Sequence, residues 1–261
     1  MRAIVVGAGF GGIAAALRLR AKGYEVTLID RCQRIGGRAQ VFELEGFRHD
    51  AGPTVITAPF LFDELFALFD EKFSDHVRLI PLTPWYRFAF QDGSRFDYGG
   101  TLEQTLDEIR RIEPRDVEGY LALLRHSQHI FDVGFTKLSA KPFHRLWTML
   151  RQIPSLIRLR SYETVWQMVS RFLFSPKLRR AFSIQPLLVG GNPFNTTSIY
   201  GLIHYLERAY GVHFAMGGTG AITRALESLM LRQGITVMLN TTVSRLSVSG
   251  KRAVGAGAGA A

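Results

Sequence analysis

Cysteine is almost missing from this sequence. Cys32 is alone among 261 residues, so an internal disulfide framework is excluded and a reducing compartment is the expected setting. Nothing near Cys32 has metal-ligand spacing, and it is read as an inert buried thiol with no metal site around it. Long apolar runs are missing too: no window reaches the roughly 18 consecutive apolar residues that a spanning helix needs. Recognisable nucleic-acid modules are absent, which argues against a nucleic-acid partner. Acids are scarce beside bases, 22 Asp and Glu against 32 Lys and Arg, leaving a formal charge of +10. A surplus of that size suits nucleic acid, a membrane surface or an anionic ligand.

What is present is ordinary in bulk. Apolar residues make up 47% and charged residues 21%, so the chain can bury a core as one large domain or two modest ones. The 19 phenylalanines suit either a roomy apolar cavity or a Phe-rich core. Met1-Arg2 and the apolar run to Leu17 look superficially like a signal peptide. Gly7, Gly9, Gly11 and Gly12 interrupt that run at spacings a secretory segment does not need.

Those glycines organise the chain. Ala3 to Val6 reads as a strand buried on both faces. Gly7 allows a sharp turn, Gly9 lets backbone approach a pyrophosphate, and Gly12 lets the following helix pack close on the strand. That helix carries Ile13, Ala16, Leu17 and Leu19 and stops at Lys22-Gly23. Its N-terminal amides and positive dipole end face the phosphates. Val26 to Ile29 is a second strand, and Asp30 at its end can accept hydrogen bonds from a ribose 2′-hydroxyl. A 2′-phosphate there would meet like charge. Gly36-Gly37-Arg38 adds a second glycine turn whose guanidinium can stand against the pyrophosphate. That extension resembles the FAD-binding fingerprint of the amine oxidase and carotenoid desaturase flavoproteins.

Val41 to His49 reads as one strand. Asp50-Ala51-Gly52-Pro53-Thr54 follows as a loop of small residues that can lie against a flat ring, and it is placed at the flavin. An ordinary turn is the alternative. Thr57-Ala58-Pro59 opens a helix with Phe62, Leu65, Phe66, Phe69 and Phe73 on one face. From Pro81 the character changes. Tyr86–Phe90 and Arg95–Tyr98 flank Asp92-Gly93, a hairpin signal, and Thr101 with Gln104 forms a capping box for a helix through Ile112. A further helix opens at Pro114.

Between residues 137 and 180 stand ten Lys or Arg and one acid, Glu163, which is nearly all of the net charge. Leu159, Trp147, Trp166, Phe172 and other apolar residues are interleaved. The pattern reads as a segment lying in a membrane interface, with a solvated basic face on a core helix and a nucleic-acid patch as the other readings. Thr197-Ser198 caps a helix to Tyr210 that carries His204, read as structural. Gly217-Gly218-Thr219-Gly220 turns into a helix with Ile222, Leu226, Leu229 and Leu231, ended by Gly234. Ile235–Leu239 and Thr242–Leu246 are strands that can return to the dinucleotide sheet. Ala253 to Ala261 is a Gly-Ala repeat that cannot build a core and reads as a frayed end.

Several stretches together resemble the bacterial phytoene desaturases: VVGAGFGGIAAALRL, IGGRAQ, HDAGPTVIT, EPRDVEGY, LLVGGNPFNTTSIYGLIHYLER and GGTGAI. The resemblance spans residues 3 to about 252 and is far more specific than the first glycine motif alone. It implies an α/β fold, with a Rossmann-like FAD-binding domain of the GR2 type built from residues 1–80 and 215–252. An α+β substrate and membrane domain is inserted over 81–214, and a low-complexity tail follows over 253–261. Further implications are FAD as cofactor, desaturation of a hydrophobic polyene, oxygen or a quinone as electron acceptor, and peripheral attachment to the cytoplasmic side of a membrane. The resemblance places a backbone contact to adenine near Val243. It assigns no catalytic residue; Arg151 matches a polar position discussed for the family, with Thr148 where its acidic neighbour usually stands. Family members run to about twice this length, so a truncated chain is expected. A dinucleotide- and membrane-binding chain without turnover, and a flavin oxidase of another substrate class, are the alternatives.

Overall fold

The computed structural model describes residues 1–137 and 153–260. The chain divides into two compact units, Met1–Ile80 with His213–Ala261, and Pro81–Val212. Elements are numbered along the whole chain.

In the first unit β1 (Arg2–Val6) pairs in parallel with β2 (Glu25–Ile29), and β2 pairs in parallel with β9 (Thr236–Met238). The strand order is β1-β2-β9. α1 (Phe10–Ala21) makes the crossover between β1 and β2, and α9 (Thr219–Arg232) leads into β9. Ile13, Ala16 and Leu17 of α1 pack with Val26 and Leu28 of β2 and Ile222, Leu226 and Leu229 of α9 into one core. β1 is not buried on both faces as its apolar run suggests. Ile4 and Val6 are exposed, so among the described residues nothing covers the outer face of β1. Leu231 is likewise on the solvent side of α9, and Met230 takes the buried position.

Val41–His49 is two strands, not one. β3 (Val41–Leu44) and β4 (Phe47–Asp50) pair antiparallel about Glu45-Gly46, whose φ angles are 52° and 83°. Two successive left-handed residues make the tight turn that suits hairpin twist. The next helix, α2 (Phe60–Ala67), is also shorter than expected. Phe73 lies beyond it in a 3-10 turn and returns to stack on Phe62 at 5.1 Å and to meet Phe66 at 5.5 Å. β5 (Leu79–Pro81) pairs with β8 (His213–Ala215). The Thr242–Leu246 strand does not join the parallel sheet. It belongs to β10 (Thr241–Ser249), which pairs antiparallel with β11 (Arg252–Ala260). The Gly-Ala stretch through Ala260 thus pairs as a strand where a frayed end was expected, although it adds nothing to the core. Cys32 is only partly covered, so the buried-thiol reading is corrected as well.

The second unit opens with the hairpin β6 (Tyr86–Ala89) and β7 (Arg95–Tyr98) around Asp92-Gly93. α3 (Leu102–Ile112) starts at the Thr101–Gln104 capping box, where both reciprocal bonds form. α4 (Asp116–Phe131) is followed by a π-helical turn to Lys137. Then come α5 (Ile153–Arg158), α6 (Val165–Phe172), α7 (Pro176–Ala181) and α8 (Leu202–Tyr210). Phe182 is fully buried and touches Phe96, Tyr98 and Tyr120 at ring separations of 5.5, 5.1 and 4.9 Å. Phe62, Phe66, Phe73, Phe96 and Phe182 thus pack in cores, while Phe42, Phe47, Phe174 and Phe194 are exposed. Asp116, buried at the start of α4, accepts the amides of Phe174 at 2.6 Å and Ser175 at 2.9 Å.

The basic stretch is only partly described. Lys141, Arg145, Trp147, Thr148 and Arg151 lie outside the described residues. In the rest, Leu159 belongs to the buried core, Phe172 packs on it, and Trp166 lies against Phe194 at 5.0 Å. Arg160 and Arg171 both pair with Glu163. Ile153, Ile157, Tyr162 and Phe174 of the same stretch are exposed. Among the described residues no helix is long and apolar enough to cross a membrane.

Candidate functional site

The first glycine turn is held from several sides. Gly7 donates its amide to Ile29 O at 2.8 Å. Asp30 accepts the amides of Ala8 at 2.6 Å and Cys32 at 2.8 Å, one on each carboxylate oxygen. Burial tends to raise the Asp30 pKa, but the two amides, with nearby Arg31, outweigh it and hold the carboxyl below its ordinary value. Asp30 therefore positions the turn as well as standing at the end of β2. That role is a local one which a strand-end acid did not announce in the sequence.

Gly12 has no room for a side chain: a Cβ there would sit 1.8 Å from Gly7 O. The helix thus packs against the turn itself, and Val5 of β1 is only the more distant neighbour. α1 begins at Gly9 with no side-chain cap and no acid in its first turn, so its leading amides keep their donors. Gly11 faces open space.

The second glycine turn lies directly on the first. Gly36 donates to Ala8 O at 2.7 Å and forms a parallel bridge with Gly9. A Cβ on Gly37 would stand 3.0 Å from Gly9 Cα, and Gly37 has φ of 58°. Glycine is needed at both levels, because two backbones meet where side chains would otherwise be. Arg38 then points outward, exposed, with no hydrogen bond or ion pair among the described residues. The structure therefore offers a cradle without side chains, a helix end with free donors and an unspent guanidinium within one small region.

The Asp50–Thr54 loop adjoins it. Gly52 is pressed on the second turn, where a Cβ would lie 2.3 Å from Arg38 O, and Ala51 donates to Gln40 O at 3.0 Å. Asp50 accepts the Thr219 amide at 2.9 Å at the start of α9, and Thr219 Oγ1 donates to Pro53 O at 2.5 Å. Thr219 was not singled out by sequence; the run of glycines before α9 marked a turn but not its partner 169 positions away. Pro53 and Thr54 are exposed. Val243 sits in β10 opposite Ala258. The start of that strand is fixed to the Asp30 region by Thr241 N to Asp30 O at 2.9 Å and Asn240 N to Cys32 O at 3.1 Å. Arg151 lies outside the described residues. Beside the first turn is an open, largely apolar recess of about 350 Å³ lined by Phe10, Pro53, Ile56, Leu61, Phe62 and Leu65 among others.

The fold is similar to that of an oxidoreductase from Methanosarcina mazei, with a TM-score of 0.60 at 17% identity over 99% of this chain and 56% of that one. The chain belongs to the flavin containing amine oxidoreductase family, whose profile matches residues 10–259, and its cofactor is FAD. The phytoene desaturase (lycopene-forming) of Pseudescherichia vulneris is 44% identical over 251 residues, 96% of this chain and 51% of that protein. The phytoene desaturase (neurosporene-forming) of Rhodobacter capsulatus is 39% identical over 248 residues, 95% of this chain and 47% of that protein. The chain spans about half the length of the curated relatives it matches.

Proposed function

We propose that this chain provides FAD binding for the desaturation of a hydrophobic polyene, phytoene, toward lycopene-type carotenes. The observation that carries this reading is the contact of the two glycine turns over the uncapped start of α1, with Arg38 unpaired beside them. Its chemistry fits a pyrophosphate: backbone donors and a helix dipole meet where no side chain intrudes, and an exposed, unpaired arginine follows the second turn directly in the chain. The 44% identity to a lycopene-forming desaturase supports the substrate class.

In this proposal Gly7, Gly9, Gly11 and Gly12 leave the phosphates room, and Gly36 and Gly37 bring Arg38 to them. Asp30 keeps lone pairs for a ribose hydroxyl while its two amide bonds fix the turn. Gly52, Pro53 and Thr54 present backbone to the flavin, and Val243 lies toward the adenine. When bound, FAD supplies the capacity to accept a hydride from a saturated C–C unit. The protein's part is to orient and to exclude water. A hydrocarbon offers no polar handle, so recognition rests on apolar surface. The recess beside Phe10 and Pro53 is of that kind. Pro81–Val212 is proposed as the inserted substrate and membrane domain, with oxygen or a membrane quinone as acceptor and a cytoplasmic, peripheral membrane location.

The test has two readouts. FAD added to the purified chain should bind, and Arg38→Ala should weaken binding by about tenfold or more, as expected for loss of a charge-assisted bond. Equal affinity in the variant sinks the assigned site. Expression in cells that accumulate phytoene should then give coloured carotenes; bound FAD with colourless extracts would limit the chain to cofactor binding.

A further inference from the structure

The loop from Asp50 to Ile56 is fixed near both ends and once in the middle. Near its start Ala51 donates to Gln40 O at 3.0 Å, and at its end Ile56 and His213 exchange amide bonds at 2.8 and 2.9 Å. The middle is held by Thr219, the first residue of α9. Its side chain is buried, and its hydroxyl donates to Pro53 O at 2.5 Å. A carbonyl oxygen can only accept, so the hydroxyl proton lies on this bond. Thr219 is itself clamped. Asp50 Oδ2 accepts its amide at 2.9 Å, and a Cβ on Gly218, the residue before it, would lie 2.2 Å from the same oxygen.

A peptide unit is planar, and in the trans form its C=O and N–H point in opposite directions. Among the described residues only Thr83-Pro84 is cis, so the Pro53–Thr54 unit is trans. The bond that draws Pro53 O toward α9 therefore turns the Thr54 N–H away from it. That N–H has no acceptor among the described residues, and Pro53 and Thr54 are both exposed. Pro53 has no N–H of its own, so Thr54 supplies the first amide donor after Gly52. The loop thus presents one uncommitted donor in a preset direction, which a ligand acceptor can use without reordering the backbone.

We infer that Thr219 is a positioning residue for the flavin: by holding Pro53 O it aims the Thr54 N–H at an acceptor on the edge of the isoalloxazine ring. This rests on the placement of the Asp50–Thr54 loop at the flavin proposed above. The acceptors of that ring are nitrogens and carbonyl oxygens, and they become richer in electrons when the ring is reduced. A fixed N–H beside one of them favours the reduced form. Thr219 acts through Pro53 and needs no contact with the ring. Asp50 acts one step further back, through Thr219.

Nuclear magnetic resonance of the full chain, labelled with heavy nitrogen at threonine, reads the donor directly. The Thr54 resonance is identified by its absence from Thr54→Ser. Adding FAD should slow hydrogen exchange of the Thr54 amide by about tenfold or more. Exchange that stays unchanged while FAD is bound overturns the inference without Thr219 being altered, and it leaves cofactor binding in place. FAD that fails to bind the wild-type chain overturns the cofactor reading, and this inference with it. Thr219→Val removes the hydroxyl. In that variant bound FAD should protect Thr54 by less than about threefold, and the reduction potential of the bound flavin should be lower than in wild type. Thr219→Ser keeps the hydroxyl and should restore both. A Thr219→Val protein with wild-type protection and wild-type potential overturns the positioning role.

Discussion

At the scale of single residues, two positions in the candidate site leave almost no freedom. Gly12 meets Gly7 O so closely that even a methyl group forces the backbone apart. Gly12→Ala is expected to cost about 1–3 kcal/mol by overpacking, read as a lower melting temperature together with weaker FAD retention. A variant that melts like wild type would show that the turn can relax. His204 gives a titration of opposite sign to Glu207. Its folded pKa is depressed from 6.5 to about 4 by burial, so the neutral form is favoured and stability falls as pH drops through that window. Glu207 loses stability as pH rises from 4.5 to about 7, and the two slopes offset each other where they overlap. His204→Asn should uncover the Glu207 slope, with stability falling from about pH 4.5 upward, measured by denaturation followed by tryptophan fluorescence. The glycines, Asp30 and Arg38 were legible in the sequence because their spacing is local. The buried Tyr86–Glu207 and Gln185–His204 contacts were not, since their partners lie 121 and 19 positions apart and each residue type alone is commonplace.

At the scale of elements, legibility followed the strength of the local signal. Asp92-Gly93 and the Thr101–Gln104 box announced a hairpin and a helix start, and both formed. Glu45-Gly46 did not announce its hairpin, because Glu is an unusual occupant of a left-handed position and its turn was read as part of a longer strand. The apolar run of β1 carried no information on whether anything covers its outer face. Asp116 shows a tie that periodicity cannot reveal: one buried carboxylate holds the segment entering α7 from 58 and 59 positions away. Asp116→Ala leaves two amides without their acceptor. It is expected to cost about 3 kcal/mol, seen as an earlier fluorescence transition of the second unit; a loss below about 0.5 kcal/mol would mean that water replaces the carboxylate.

At the scale of the whole molecule, charge is distributed more unevenly than composition suggests. Almost the whole net +10 falls between residues 137 and 180, and in the described part of that stretch Leu159, Val165, Met168 and Val169 are buried while Ile153, Ile157, Tyr162 and Phe174 are exposed. Membrane binding through this stretch starts from its charge. Sedimentation with vesicles containing anionic lipid should therefore be strong at low salt and fall away as ionic strength rises. Binding that is indifferent to salt would instead point to inserted apolar side chains.

The β10–β11 ribbon has a property of its own. From Gly255 to Ala260 glycine and alanine alternate, and the pairing with β10 changes step between Val243 and Arg245 and again between Ser247 and Val248. Sliding β11 by two residues puts glycine where glycine was and alanine where alanine was, so successive alignments differ little in side-chain contact. The repeat itself therefore does not choose among these alignments; the tight Gly250-Lys251 turn between the paired Ser249 and Arg252 does, and it sets the register of a ribbon tied, through Thr241, to the loop that carries Asp30.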